Sequence, residues 1–197
     1  MDSKLTSLSK QLSENQYEAF SKDSMDWLKR KTANIQKNAP AYSKQILKER
    51  DRHVRKNQLW RGEVCFFLYD PKYADSLPYY DIFPLVIVLD KYNDGILGLN
   101  LHYLPVPMRA AFMDKLMKYK VDSPDRLKVT YDILSGTSKY KQFIPCIKRY
   151  LDKQMGSNYL KVEENEWETA LFLPVQQFKK SNSAKVWKDS IHKIQGI

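Results

Sequence analysis

A chain of 197 residues with 43% apolar and 13% aromatic side chains can bury a real core and is too apolar for wholesale disorder. Six glycines exclude a Gly-rich loop, a collagen repeat or a flexible linker, and the longest apolar run, 82–89, falls far short of the ~18 residues that span a membrane. The net charge of +10 is divided unevenly: residues 1–56 carry thirteen Lys/Arg against seven Asp/Glu, 57–107 three against six, and 108–197 seventeen against ten. Positive ends around a mildly acidic middle speak to polyanionic partners and say little about fold. Met1-Asp2-Ser3-Lys4 lacks the apolar stretch of a secretory signal, so the chain is expected to work without secretion.

In chain order, Tyr17, Phe20, Ser24, Trp27 or Leu28, and Ile35 recur at helical spacing and predict a helix over 14–37, with Ser13 and Gln16 as a capping box. Asn38-Ala39-Pro40 breaks it, and a second helix is predicted over 41–56. On that helix Lys44, Lys48, Arg52, Arg55 and Lys56 fall three or four residues apart on one face. Glu49 and Asp51 offset only part of this charge. The face suits duplex phosphates, with affinity independent of sequence and steeply sensitive to salt. Without a polyanion, it is an ordinary solvated face.

The middle is β in character. Residues 60–69 (WRGEVCFFLY) are strand formers ended by Asp70-Pro71. Runs 83–92 and 96–103 flank Asn93-Asp94-Gly95, where Asp-Gly suits the positive φ values of a tight turn, so an antiparallel hairpin is predicted. Residues 85–89 are continuously apolar, the mark of a strand covered on both faces. Tyr79, Tyr80 and Tyr103 could stack on bases, but their setting among prolines and strands favours packing.

Helices are predicted to resume at 108–120, at 123–136 behind Ser123-Pro124, and at 145–155 with Phe143, Ile147, Tyr150 and Leu151 as the stripe. Residues 159–162 and 169–173 are strand candidates. Ala184, Trp187, Ile191 and Ile194 mark a terminal helix with Lys185, Lys188 and His192 beside the stripe. The predicted fold is α+β, a small antiparallel sheet with a central hairpin, flanked by N-terminal and C-terminal helices. The expected division is a basic helical region, 1–56, and an α+β globular domain, 57–197.

No catalytic, metal or cofactor signature is present. His53, His102 and His192 stand alone, and no C-x-x-C, H-E-x-x-H, Walker A, G-x-G-x-x-G or G-x-S-x-G occurs. His102 reads as a hydrogen-bonded structural residue. Asp81 and Asp90 lack the Asp/Glu-x-Lys offset that a metal-dependent nuclease places on one strand face, because Lys91 follows Asp90 directly. Cys65 and Cys146 read as two buried thiols. The chain is expected not to be an enzyme.

The segments FFLYDPK (66–72), LPYYDIFPLVI (77–87), DGILGLNLHYLP (94–105) and MRAAFMDKL (108–116) resemble a family of small basic virion proteins from T-even-like, contractile-tailed bacteriophages. Echoes continue in KQFIPCIKRYL (141–151), WETALFLP (167–174) and KVWKDS (185–190). The resemblance implies a DNA end protector: a protein that binds the ends of packaged double-stranded DNA and shields them from host exonuclease. It also implies residence in the virion and in the host cytoplasm during assembly, other virion proteins of the head–tail connector, tail or baseplate as partners, and no membrane. The motifs read as hairpin and core, so the resemblance assigns no site residue. Two alternatives stay open: a purely structural neck, tail or baseplate component whose charge meets acidic protein neighbours, and a protein that blocks a host nuclease directly.

Overall fold

A computed structural model describes residues 53–117, 141–173 and 175–195. The helices expected over 14–37 and 123–136 lie outside these residues, as do positions 41–52 of the second helix. Among the described residues the fold is α+β, built on a six-stranded, wholly antiparallel sheet. Its strands are β1 (His53–Val54), β2 (Val64–Phe66), β4 (Leu85–Tyr92), β5 (Gly95–Asn100), β6 (Ile147–Leu151) and β7 (Tyr159–Val162), in the order β1-β7-β2-β4-β5-β6. A separate ribbon pairs β3 (Tyr80–Asp81) with β8 (Phe178–Lys179). The α-helices among the described residues are α1 (Val106–Met117), α2 (Trp167–Phe172) and α3 (Ser183–Gln195).

The predicted hairpin is β4–β5, and its first strand is central because both of its faces are apolar. Leu85, Ile87 and Leu89 enter one core with Phe66, Phe83, Phe112, Leu171 and Val186. Val86 and Val88 enter a second with Leu59, Cys65, Phe67, Ile96 and Tyr150. All five are at most 1% exposed, each contributing about 1.5–3 kcal/mol of burial. Pairing steps from Val88↔Gly98 to Asp90↔Leu97, which leaves Leu89 as a bulge.

The turn differs from expectation in mechanism. Asn93-Asp94 forms a two-residue loop, and neither takes a positive φ. Glycine is required at 95 because β6 crosses there: a Cβ would lie 1.9 Å from the Tyr150 carbonyl oxygen.

The first predicted strand is shortened from 60–69 to Val64–Phe66. Gly62 has φ 88°, and Glu63 closes a turn by donating its N–H to the Trp60 carbonyl while its side chain accepts the Trp60 N–H at 2.7 Å. Past Phe66 the backbone leaves the sheet, with Leu68 N–H donating to Ser157 Oγ and Tyr69 N–H to the Ile82 carbonyl.

Three expectations are corrected. The helix predicted over 145–155 is a 3-10 turn, Lys141–Cys146, followed by strand β6. Pro145 sits inside the turn, and β5 offers five backbone partners to Ile147–Leu151, which outweighs a helical stripe. The strand predicted over 169–173 is helix α2, where Trp167, Ala170 and Leu171 share one buried face after the 3-10 turn Glu164–Glu166. Residues 53–56, predicted as the end of a helix, are not helical, because His53 and Val54 pair with Leu160 and Tyr159. Arg55 is extended, and a 3-10 turn spans Lys56–Gln58.

Helix α1 begins two residues early, at Val106: the Pro105 carbonyl accepts from Met108 and Arg109, and Pro107 falls in the first turn, where no N–H is needed. Asn182 caps α3 by accepting the Lys185 N–H at 3.0 Å. The buried line of α3 runs through Val186 and Ser190 with Trp187 and Ile191 beside it, while Ala184 is exposed. Both cysteines are buried, unpaired thiols, and burial pushes the Cys146 thiol up to about 12.

Candidate nucleic-acid interface

Of the five residues proposed from sequence to meet phosphate, Lys44, Lys48 and Arg52 lie outside the described residues. Arg55 is exposed just beyond β1. Lys56 is committed internally: its Nζ donates to the carbonyls of Tyr92 (2.9 Å) and Asn93 (2.8 Å) and pairs with Asp152. Since residues 53–56 are not helical, Arg55 and Lys56 do not extend a helical stripe. Lys56 instead fastens the end of the basic segment to the tip of the β4–β5 hairpin.

That tip carries the most exposed aromatic surface of the sheet. Trp60 is 69% exposed, with Lys91 Nζ 5.8 Å from its ring centroid, and Lys91 also donates to the Leu59 carbonyl at 2.6 Å. Tyr92 is 45% exposed, with the Arg149 guanidinium 4.3 Å from its ring centroid. Arg149 donates to the carbonyls of Ile96 (3.1 Å) and Tyr150 (3.3 Å) and pairs with Asp94. Arg61 Nε donates to Asp90 Oδ1 at 2.8 Å. Two rings, each with a cation beside it, thus share one end of the sheet with Lys56 and Arg61. Sequence reading missed this grouping because its members come from separate segments that only the sheet brings together. The adjacency of Trp60 to Arg61 and of Lys91 to Tyr92 were the local signals.

A second basic face lies on α3. Lys185, Lys188 and His192 are exposed and spaced three and four residues apart, as the sequence placed them. Asp189, the acid on this helix, accepts a hydrogen bond from Tyr79; burial first, then Asp189, pushes the Tyr79 hydroxyl up to about 12.

The tyrosines considered for stacking are packed. Tyr79 and Tyr103 lie 6.0 Å apart and both contact Phe178, Tyr103 is buried, and Tyr80 is half-buried in β3.

Beneath them lies a buried polar cluster. Asp81 Oδ1 accepts the N–H groups of Phe83 (3.1 Å) and Gln177 (3.3 Å); Oδ2 faces His102 Nδ1 (2.6 Å) and Asn100 Nδ2 (3.4 Å). Asp81 braces the bend at Phe83 and is the hub of this cluster. His102 is fully buried, and burial holds its pKa below the ordinary value against the pull of Asp81. A neutral ring donating from Nδ1 leaves Nε2 as an acceptor without a hydrogen-bond partner. Burial alone would raise the Asp81 pKa, but His102 and the two backbone N–H groups outweigh it and hold it below the usual carboxylate value.

Arg109, 1% exposed, donates to the carbonyls of Leu104 (2.7 Å), Leu171 (3.2 Å) and His102 (3.3 Å). Burial lowers its pKa to about 9, so it remains charged at neutral pH. Trp187 Nε1 donates to the same His102 carbonyl at 2.8 Å. Each of these contacts joins elements of the fold, and His102 is buried and hydrogen-bonded among them. Among the described residues no group of three His, Cys, Asp or Glu could hold a metal ion, and no helix is long and apolar enough to cross a membrane.

Against known proteins, no curated relative and no solved structure matches the chain. One family model does, described as the phage T4 terminal DNA protecting protein and matching residues 3–190. The match covers both the basic N-terminal region and the α+β fold, so this chain belongs to the phage T4 terminal DNA protecting protein family.

Proposed function

We propose that the protein binds the ends of the packaged phage genome without regard to sequence and shields them from host exonuclease, from a place in the virion at the genome end or head–tail passage. The observation that carries this reading is the family match across residues 3–190, which includes the basic N-terminal region. The charge distribution supports it: a positive segment, 1–56, enters the fold through β1 beside a hairpin tip that presents rings and cations. Lys44, Lys48, Arg52 and Arg55 are the proposed phosphate contacts, and Lys56 anchors their segment to the fold. Its partners are duplex DNA and neighbouring virion proteins, and it turns over no nucleic acid. Asp81, one of the two carboxylates a nuclease would need, is 3% exposed with both oxygens engaged by protein donors, and Asp90 is held by Arg61.

Phosphate contacts release condensed counterions, so log affinity for duplex DNA is expected to fall linearly with log salt, by roughly 0.9 per contact. Replacing Arg52 and Arg55 with alanine should flatten that slope by about two units and weaken binding equally across sequences, because phosphate contacts carry no base information. Fluorescence anisotropy titrations over a salt series measure both. A double variant that binds like the parent at every salt concentration makes this segment a solvated face and removes the phosphate assignment.

A further inference from the structure

We infer that the outward face of α3, carrying Lys185, Lys188 and His192, is a second phosphate-binding surface for duplex DNA, separate from the basic segment before β1. This rests on the DNA-binding reading above and adds to it a contact surface within the described fold.

The surface is continuous because one helix carries it. At 3.6 residues per turn, the three side chains lie within about 60° of one another and span about 10 Å along the axis. All three are exposed, turned away from the buried Val186 and Ser190. The helix that presents them is fixed from below. Asn182 caps its first turn, Trp187 Nε1 donates to the His102 carbonyl at 2.8 Å, and Val186 enters the first core. A helix held in this way keeps its cations in register, which lowers the ordering cost of a contact.

Charge decides the occupant. Elsewhere among the described residues, Arg61, Arg149, Lys56 and Lys161 are paired with Asp90, Asp94, Asp152 and Glu63. The side chains of Lys185 and Lys188 make no hydrogen bond or ion pair with any described residue, so the described fold leaves their charge uncompensated. Asp189, the acid on this helix, is engaged by the Tyr79 hydroxyl. Two ammonium groups and an imidazole N–H over about 10 Å suit consecutive phosphates, which follow one strand every ~3.4 Å of duplex axis. The surface is also remote from the N-terminal one. Helix α3 packs against the 3-10 turns Leu101–Tyr103 and Lys141–Cys146, beside β5 and β6, whereas the basic segment enters at β1, the opposite edge of the sheet. Five strand spacings put those edges about 24 Å apart, so the two surfaces should contribute independently.

The test is a salt series of anisotropy titrations on linear duplex with variants of the full chain. Lys185→Ala with Lys188→Ala is expected to flatten the salt slope by about two units, and by the same amount in the Arg52→Ala, Arg55→Ala background. Lys185→Arg with Lys188→Arg should keep the parent's slope, because charge is retained. Lys72→Ala with Lys153→Ala removes equal charge from exposed sites off this helix and should leave the slope unchanged. Circular dichroism establishes that each variant is folded. If the α3 alanine variant keeps the parent's slope, as a solvated or protein-docking face would, the second surface is overturned while DNA binding through the N-terminal segment stands. Equal flattening by the Lys72, Lys153 variant overturns it too, since net charge and not this face would then set the slope. A parent that fails to bind duplex removes the DNA-binding reading, and this inference with it.

Discussion

Val88→Asp is expected to leave no cooperatively folded protein. Val88 is fully buried in the second core, opposite Gly98 on β5. The substitution removes about 1.5–3 kcal/mol of apolar burial and places a carboxylate in a core lined by Leu59, Cys65, Phe67 and Ile96. An unpaired buried charge costs several kcal/mol more, and the sum approaches the ~5–15 kcal/mol that holds a whole domain together. Val86→Asp should behave alike, since Val86 packs in the same core. Tyr73→Asp, at a site 64% exposed, should stay within about 0.5 kcal/mol of the parent. Soluble yield and thermal melting by circular dichroism separate these outcomes; a normal melt for Val88→Asp would mean that β4 is not covered on both faces.

Asp81→Ala should produce the next largest loss, about 3–6 kcal/mol. It strands four donors around one buried position, those of Phe83, Gln177, Asn100 and His102, and each unsatisfied group costs about 1–3 kcal/mol with part recovered by relaxation. Asp81→Asn should lose less, because one amide oxygen still accepts and a neutral imidazole can change tautomer. A pH dependence follows from the same cluster. The folded pKa of His102 lies below its ordinary 6.5, so as pH falls below that value the unfolded chain takes up a proton that the folded chain refuses, and stability drops. Asp81 is also depressed, so its contribution is fully present above 3.8 and is lost as pH falls further through its folded pKa. Stability should therefore decline from pH 7 to pH 5, by at most about 1.4 kcal/mol per pH unit from one proton, and His102→Asn should flatten that decline. A parent equally stable at both pH values would contradict the neutral, buried state of His102.

The central strand, its hairpin partner, β7, α1 and α3 were legible because each carries a periodicity that one or two residues of tertiary context cannot reverse. Residues 85–89 could only be a strand apolar on both sides. Ile147–Leu151 was misread because its pattern fits a helix as well as an edge strand, and only the exposed hydrogen-bonding groups of β5 decide between them. Residues 169–173 suggested a strand locally, yet Trp167, Ala170 and Leu171 needed a helical face to reach the core together. His53 and Val54 were hidden in a charged segment, and nothing before residue 159 announces the strand that captures them.

The resemblance motifs have a physical meeting place. Asp81, Asn100, His102, Arg109, Tyr150, Leu171 and Trp187 come from six of these segments and are linked by hydrogen bonds through the polar cluster. Much of these segments builds the interior, while Lys185 and Lys188 of the last one lie on the surface. The exposed rings Trp60 and Tyr92, with Lys91 and Arg149 beside them, come from separate segments that only the sheet brings to one end.

The most direct measurement is exonuclease protection of a linear duplex, with two unrelated nucleases that enter from duplex ends, one digesting 5′ to 3′ and the other 3′ to 5′. Protein added in slight excess over DNA ends should slow both nucleases, lose its effect as salt rises, and leave DNA intact when incubated with magnesium alone. Inhibition of one nuclease with no retention of DNA would point to a nuclease-blocking protein. Undiminished digestion by both at concentrations that saturate DNA binding, or magnesium-dependent cleavage by the protein itself, would contradict protection of the genome end by direct binding.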